Sequence, residues 1–164
     1  MELVIISIIL YSTYTERYNC TPSQKTKRGN WSGQRGESMF IPSNTLRNRN
    51  LIQLLHQYGL TGITYKNCIV DFSDCSICQF YLKNMSILRY KNFREADLLL
   101  LEYSQSSQNL FPAFSSLKEI QAYRSEQKLT WHECNDCRTI QLIPSEIHRF
   151  FNHLGGISEL KHIK

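Results

Sequence analysis

The spacing of apolar residues along the chain predicts a mixture of short helices and strands. Apolar positions recur with the period of an amphipathic helix in three segments, which are residues 51–58, 92–101 and 115–124. Residues 62–65 alternate as a strand does, and residues 77–88 alternate more loosely. We therefore expect the α+β fold class, in one small mixed domain.

Polar residues mark the ends of these predicted elements. Gly59 can end the first helix, because glycine readily adopts the left-handed conformation found after many helices. Asn92 is placed to cap the second helix and Ser115 or Ser116 the third, since such side chains accept bonds from free backbone N–H groups. Residues 12–50 are polar and contain several glycines, so we expect mostly loop there.

The last third of the chain predicts a strand, a turn, a second strand and a short helix. Residues 129–133 and 138–143 have strand character and flank a turn. Pro144 should end the second strand, and Ser145 is placed to cap the helix that follows. This order of elements is a C-terminal ββα unit covering about residues 128–156.

The bulk composition fits a globular protein with a weak preference for polyanions. The 164 residues suffice for one domain with a modest core. A formal net charge of +5 fits a nucleic-acid partner, because lysine and arginine displace counterions from phosphates. A bias of this size is also common in proteins that bind no polyanion, so the charge alone does not decide the function.

An apolar run occupies residues 3–11. It is too short to cross a bilayer as a helix. No basic residue precedes it and no clear cleavage site follows it, so it is not a convincing signal peptide. We interpret it as a β-branched strand, or as residues left by a shifted start codon. No stable membrane association is expected.

Three of the five histidines, His132, His148 and His153, fall within the ββα unit. Neutral imidazoles suit a divalent transition metal such as zinc or nickel. Glu133 follows His132 and can either bind the metal or accept a proton from water. His148 and His153 are five residues apart, which places them about 140° apart on a straight helix. A common metal site therefore requires the helix to end or bend between them, and Gly155 with Gly156 makes an early end plausible.

A different metal site is the strongest alternative. Two cysteine pairs have the C-x2-C spacing of zinc ligands, and they are Cys75 with Cys78 and Cys134 with Cys137. If the two pairs met, the protein would be a non-catalytic zinc-binding module.

The same C-terminal residues resemble a known family. The run Thr130-Trp131-His132-Glu133-Cys134-Asn135-Asp136-Cys137-Arg138, with the residues from Thr139 through His148 to His153 and Gly156, is similar to the WHH-type toxin nucleases. These belong to the HNH/endonuclease VII (ββα-metal) superfamily. Upstream, the segment Trp31-Ser32-Gly33-Gln34-Arg35-Gly36 resembles the family's Trp-x-Gly-x-Arg-Gly pattern. Weaker similarities in residues 62–73 and 89–97 follow in the family's order.

The resemblance implies a metal-dependent DNase used in bacterial competition as a toxin module, with little sequence specificity. Residues 29–164 would form the nuclease domain, and residues 1–28 a leader of uncertain structure. A dedicated immunity protein is an expected partner, and DNA is the expected substrate, with RNA as the alternative. The protein would be cytoplasmic in its producer or delivered into a target cell. A degenerate toxin that acts only as an interaction protein is a further alternative.

The resemblance also implies roles for individual residues. His132 and His148 would be ligands of one divalent metal ion (zinc, nickel or magnesium), and His153 a third ligand or a phosphate contact. Relatives often have histidine where this chain has Glu133, so Glu133 is expected to activate water. Alternatively His132 is the base, and Asp136 or Glu133 helps to hold the metal.

Arginines are the expected contacts to substrate phosphates, since the guanidinium group binds phosphate oxygens in a bidentate manner. Arg138 is the first candidate, because it lies on the strand beside the expected site, and Arg94 is a second. Arg89 and Arg35 are weaker candidates for the same role.

Overall fold

The structure is a computed structural model that describes residues 10–24, 26–106 and 111–163. In chain order its elements are α1 (Tyr14–Cys20), β1 (Gly29–Trp31), β2 (Met39–Pro42), α2 (Arg49–Gln57), β3 (Ile63–Lys66), β4 (Ile69–Val70), β5 (Cys78–Tyr81), α3 (Arg89–Ser104), α4 (Leu117–Glu126), β6 (Leu129–Glu133), β7 (Thr139–Pro144), α5 (Ser145–Phe150) and α6 (Gly156–Leu160). Residues 3–9 of the predicted apolar strand lie outside the described part. No helix within that part is long and apolar enough to span a bilayer.

The strands form two antiparallel sheets, which confirms the expected α+β class. One sheet has the order β1-β2-β3-β4, and the other has the order β5-β7-β6. All residues of β7 are buried, because this central strand is covered on both faces. Ile140 and Leu142 pack toward the core under α3 and α4. Ile143 packs toward a second core that includes Phe40 and Leu55. The C-terminal hairpin therefore lies between the two cores.

The C-terminal hairpin and helix lie where the sequence predicts them. Strands β6 and β7 pair in register from Leu129 opposite Pro144 to Glu133 opposite Ile140. Pro144 is the last residue of β7 rather than a residue outside it. The predicted cap at Ser145 is wrong, since Ser145 is already helical and no side chain caps α5.

Helix α3 begins at Arg89, before the cap predicted at Asn92. The side chain of Asn92 bonds to Ser86 and Glu133 rather than to free N–H groups of its own helix. The predicted capping role of Asn92 is therefore wrong. The alternative cap Ser116 is confirmed at α4, where its hydroxyl accepts a bond from the backbone N–H of Glu119.

The expectation of mostly loop in residues 12–50 holds only in part. Helix α1 begins with a capping box in which Thr13 and Glu16 bond to each other's backbone N–H groups. The buried side chain of Arg17 holds this helix on the domain by donating to the backbone oxygen and side-chain oxygen of Asn67. Strands β1 and β2 follow, and the short lengths of these elements explain why hydrophobic periodicity did not reveal them.

Candidate functional site

The end of β6 and the short helix α5 bring the three predicted histidines together. His132 lies on β6 opposite Gln141 of β7, and His148 lies on α5. Helix α5 ends at Phe150, so His153 belongs to the segment after the helix rather than to its continuation. The predicted end of the helix between His148 and His153 is confirmed.

Close packing fixes the segment that carries His153. The hydroxyl of Tyr65 donates to the backbone oxygen of Asn152 at 3.0 Å. A Cβ atom added at Gly156 would lie only 2.4 Å from the backbone oxygen of Cys134, so only glycine fits here against the hairpin turn. The ring of Phe72 also contacts all three imidazoles, with distances of 5.0 to 5.8 Å between ring centroids.

The ring nitrogens of the three histidines converge. One nitrogen from each of His132, His148 and His153 lies within 4.8 Å of the others. Nδ1 of His132 and Nε2 of His148 are 3.3 Å apart. Two ligands on a tetrahedral zinc ion, each bonded at ~2.0–2.1 Å, would be separated by about 3.3–3.4 Å. The spacing of these two nitrogens therefore already matches a shared cation.

A backbone contact sets the tautomer of His153. Its Nδ1 lies 2.7 Å from the backbone oxygen of Phe151, an atom that can only accept. We therefore assign the proton to Nδ1, which leaves Nε2 with a free lone pair. Hydrogen bonds of this kind orient metal-binding imidazoles in proteins.

Burial keeps the three imidazoles neutral. His132 is only 2 % exposed, and burial lowers its pKa well below the usual range, with further lowering by the nearby His153 and His148. Burial likewise lowers the pKa of His148 to about 3, and it lowers the pKa of His153. Neutral rings have the free lone pairs that a metal needs.

Glu133 lies beside the histidine cluster but outside it. Its carboxylate is 4 % exposed and accepts a bond from Nδ2 of Asn92 at 3.3 Å. The Nε atom of Arg89 lies 3.4 Å from the other carboxylate oxygen. Burial raises the pKa of Glu133, although Arg89 and Asn92 act in the opposite direction. A carboxylate with a raised pKa is a stronger base than an exposed one.

Asp136, the alternative metal ligand, is occupied elsewhere. Its oxygens accept bonds from the backbone N–H groups of Arg138 and Thr139 and from the hydroxyl of Thr139. Within the described residues the cluster of possible metal ligands contains neither Asp136 nor Glu133. The alternative in which one of these carboxylates completes the ligand set therefore lacks geometric support.

Asn92 is a buried residue whose part in the site the sequence did not reveal. Its side-chain oxygen accepts from the backbone N–H of Ser86 at 2.8 Å, and its Nδ2 donates to the backbone oxygen of the same residue at 2.7 Å. If the amide were flipped, its oxygen would face the backbone oxygen of Ser86 and its NH2 group would face the backbone N–H of Ser86, so neither bond could form. The second Nδ2 proton is therefore held toward Glu133.

Helix α3 also anchors the residue that precedes His132. Asp97, which is 1 % exposed, accepts two bonds of 2.9 Å from the guanidinium of Arg124. It also accepts a 2.8 Å bond from the indole nitrogen of Trp131. Helix α3 therefore contacts the side chains on both sides of His132, namely those of Trp131 and Glu133.

The cluster opens into a cavity of about 720 Å³ with a basic rim. Arg89, Arg149 and Lys161 line it and are exposed to solvent. Sequence reasoning placed Arg89 among the weaker candidates and did not identify Arg149 or Lys161. Their positions depend on how α5 and α6 fold back over the hairpin, which local sequence pattern does not reveal.

The other arginines singled out from the sequence do not line this cavity. The guanidinium of Arg138 stacks 4.8 Å from the ring centre of Tyr81. Arg94 lines a separate depression beside α4. The guanidinium of Arg35 donates to the backbone oxygens of Tyr18 and Thr21, so it holds the end of α1.

The four cysteines of the alternative zinc site do not come together. Within the described part of the chain, the three histidines are the group found at metal-binding distances, and the cysteines are free. Burial raises the pKa of both Cys75 and Cys78 to about 12, and it also raises that of Cys134. Since no cysteine of the described residues joins a group at metal-binding distances, the alternative of a cysteine-based zinc module is wrong.

Fold and site together define an α+β domain in which a β-hairpin and a short helix gather three imidazoles beside a buried carboxylate. The family model described as the DNase/tRNase domain of colicin-like bacteriocin matches residues 62–155, more than half of the chain. The chain belongs to this family of bacteriocin nuclease domains, which confirms the expected toxin nuclease class. The matched segment contains all three histidines. No curated protein and no solved structure matches the chain significantly.

Proposed function

We propose that this protein is a metal-dependent endonuclease of the HNH type, similar to the WHH subgroup, that hydrolyses DNA with little sequence specificity. Its domain would span residues 29–164, with the catalytic unit at about residues 128–156. The observation that carries the proposal is the convergence of His132, His148 and His153, within 4.8 Å, inside a segment matched by a bacteriocin nuclease family.

The donor set fits one divalent transition metal held by the three histidines. All three donors are nitrogens of neutral rings, which zinc and nickel prefer, whereas magnesium prefers oxygen ligands. Three protein ligands also leave a position open for substrate, as catalytic zinc sites require. When bound, the metal would polarise a phosphate oxygen and stabilise the negative charge that grows on the phosphate during hydrolysis.

Glu133 is the group assigned to the attacking water. Its carboxylate would take the water proton, and the raised pKa from burial suits that transfer. Asn92 donates to one oxygen and Arg89 lies beside the other, so both fix the direction of the carboxylate. We therefore assign His132 to the metal and Glu133, rather than His132, to the role of base.

Substrate would be held mainly through its phosphates. Arg89, Arg149 and Lys161 line the cavity that contains the histidines, and cations bind the backbone of any sequence. They replace Arg138 and Arg94 as the first candidates for phosphate contacts. DNA is the proposed substrate and RNA is the competing outcome, since the family description covers both DNases and tRNases. A toxin of this class would act in bacterial competition, delivered into a target cell, and would need an immunity protein in its producer.

Plasmid cleavage tests the proposal directly. Purified protein is incubated with supercoiled DNA and, separately, with total RNA, in zinc, nickel or magnesium. Wild type should nick the plasmid, and His148→Ala should abolish nicking. His56→Ala is the matched control, because His56 is exposed on α2 and lies outside the site. Cleavage by His148→Ala at the wild-type rate would overturn the proposal.

A second variant tests the role of the carboxylate. Glu133→Gln keeps the shape of the side chain but removes its basicity, and loss of a general base typically costs 10²–10⁴-fold in rate. Metal affinity should stay close to wild type, because Glu133 is not in the ligand cluster. A wild-type rate in this variant would remove Glu133 from the mechanism.

A further inference from the structure

A second depression adjoins the cavity that contains the three histidines. Its volume is about 560 Å³, and it lies between the end of α4, the start of β6 and the start of α5. His148 and Arg149 line both hollows. Because β6 runs from the second depression at Leu129 to the first cavity at Glu133, the two form one groove along this strand.

The groove continues with positive charge beyond the histidines. Lys128 and Arg149 are exposed in the second depression, and no carboxylate of the described residues lies within 4 Å of either side-chain charge. Arg124 also lines the depression, but its guanidinium is paired with Asp97. Glu146 is the one acidic residue among the lining side chains. The net charge of this depression therefore depends on two cations, Lys128 and Arg149, and one carboxylate, Glu146.

Lys128 has an unusual backbone conformation for a lysine. It follows Gln127, the C-cap of α4, and its φ angle is +53°. Glycine and asparagine adopt this left-handed conformation with less strain than other residues do. The chain reversal at this point does not need a lysine, and the side chain that lysine adds there is an exposed cation that lines the second depression.

We infer that this second depression is a subsite for the phosphates of the nucleic-acid strand flanking the scissile bond, with Lys128 and Arg149 as its cations. The inference rests on the proposed function. Lys128 is four residues from His132, a distance of about 13 Å along a strand. Phosphates on one DNA strand are spaced by ~3.4 Å along the helix axis. Because the strand also winds around the axis, its phosphates are farther apart than this rise, and Lys128 contacts a phosphate within about four nucleotides of the one that is cleaved.

Salt-dependent binding of DNA tests this subsite. A fluorescein-labelled DNA duplex is titrated with protein in EDTA, which prevents cleavage, at several salt concentrations. Each lost phosphate contact should lower the slope of log affinity against log salt by about 0.9. We expect this reduction in Lys128→Asn, in which asparagine tolerates the left-handed backbone, and in Arg149→Gln. Glu146→Gln should bind more tightly than wild type at low salt.

A matched control separates the subsite from general electrostatics. Lys118→Gln removes one exposed positive charge from α4 outside both hollows, so its slope should equal that of wild type. A slope unchanged in Lys128→Asn, or reduced equally in Lys118→Gln, would overturn the subsite while leaving the nuclease proposal intact. Failure of the wild type to bind DNA would also overturn the subsite, whereas the nuclease proposal is decided separately by cleavage in the presence of metal.

Discussion

Removal of the Asp97 carboxylate should be among the most destabilising single changes in this domain. Asp97 is almost fully buried and accepts three bonds, two from Arg124 and one from the indole of Trp131. Asp97→Ala leaves a guanidinium that is 15 % exposed without its partner. Breaking a buried ion pair on one side costs ~3–5 kcal/mol. That is a large fraction of the ~5–15 kcal/mol that stabilises a typical domain.

Urea and thermal unfolding of matched variants measure this effect. A change of 1 kcal/mol shifts the midpoint by ~2–4 °C in domains of this size, so Asp97→Ala should lower it by roughly 6–20 °C. Trp131→Phe keeps the ion pair but loses a bond to a charged acceptor, worth ~1.5–3 kcal/mol, and leaves a cavity in the core, so it should also destabilise the domain. The double variant Asp97→Ala/Arg124→Met should be more stable than Asp97→Ala alone, because it removes the unpaired cation.

The reasoning would be refuted by either of two results. One is a cost below about 1 kcal/mol for Asp97→Ala, the range of an exposed ion pair. The other is a double variant no more stable than Asp97→Ala, which would mean that the unpaired Arg124 is not the source of the loss.

Three other predictions concern the surroundings of the site. Burial raises the pKa of Glu159, but hydrogen bonds from Ser12 outweigh burial, so the pKa is lowered from its usual value of 4.5. The ionised carboxylate therefore stabilises the fold above about pH 4.5, and this contribution is lost as the pH falls through the lowered pKa. The urea midpoint of Glu159→Gln should therefore fall less steeply with acid than that of wild type, and equal slopes would contradict this. Asn92→Ala should reduce kcat for plasmid nicking while retaining metal, because it removes a donor to Glu133, and an unchanged kcat would count against that role. Cys75→Ser should keep the wild-type metal content, and loss of metal would revive the cysteine site.

The C-terminal hairpin was predictable because its signals are local. The segments that form β6 and β7 have strand character, a turn of polar residues separates them, and Pro144 lies at the end of the second. The five-residue spacing of His148 and His153 also required the helix to end early, and α5 does end at Phe150. Both inferences used periodicity over short stretches, where sequence is most informative.

The parts that were missed depend on contacts between distant segments. Asn92 was interpreted as a helix cap because asparagine favours that position, yet its partner Glu133 lies 41 residues away. Arg149 reaches the cavity because α5 packs against β6, and Lys161 reaches it because α6 folds back on the hairpin, where Gly156 allows close approach. Arg138 was favoured because it neighbours the site in sequence, but its guanidinium stacks on Tyr81 instead.

Metal titration of the purified, metal-free protein tests the central claim most directly. Calorimetry with zinc or nickel should give one equivalent per chain for wild type and for the exposed-histidine control His56→Ala. His148→Ala and His153→Ala should each lose tight binding, since each removes one of three nitrogens that lie within 4.8 Å of one another. Wild-type affinity in both variants would contradict the account.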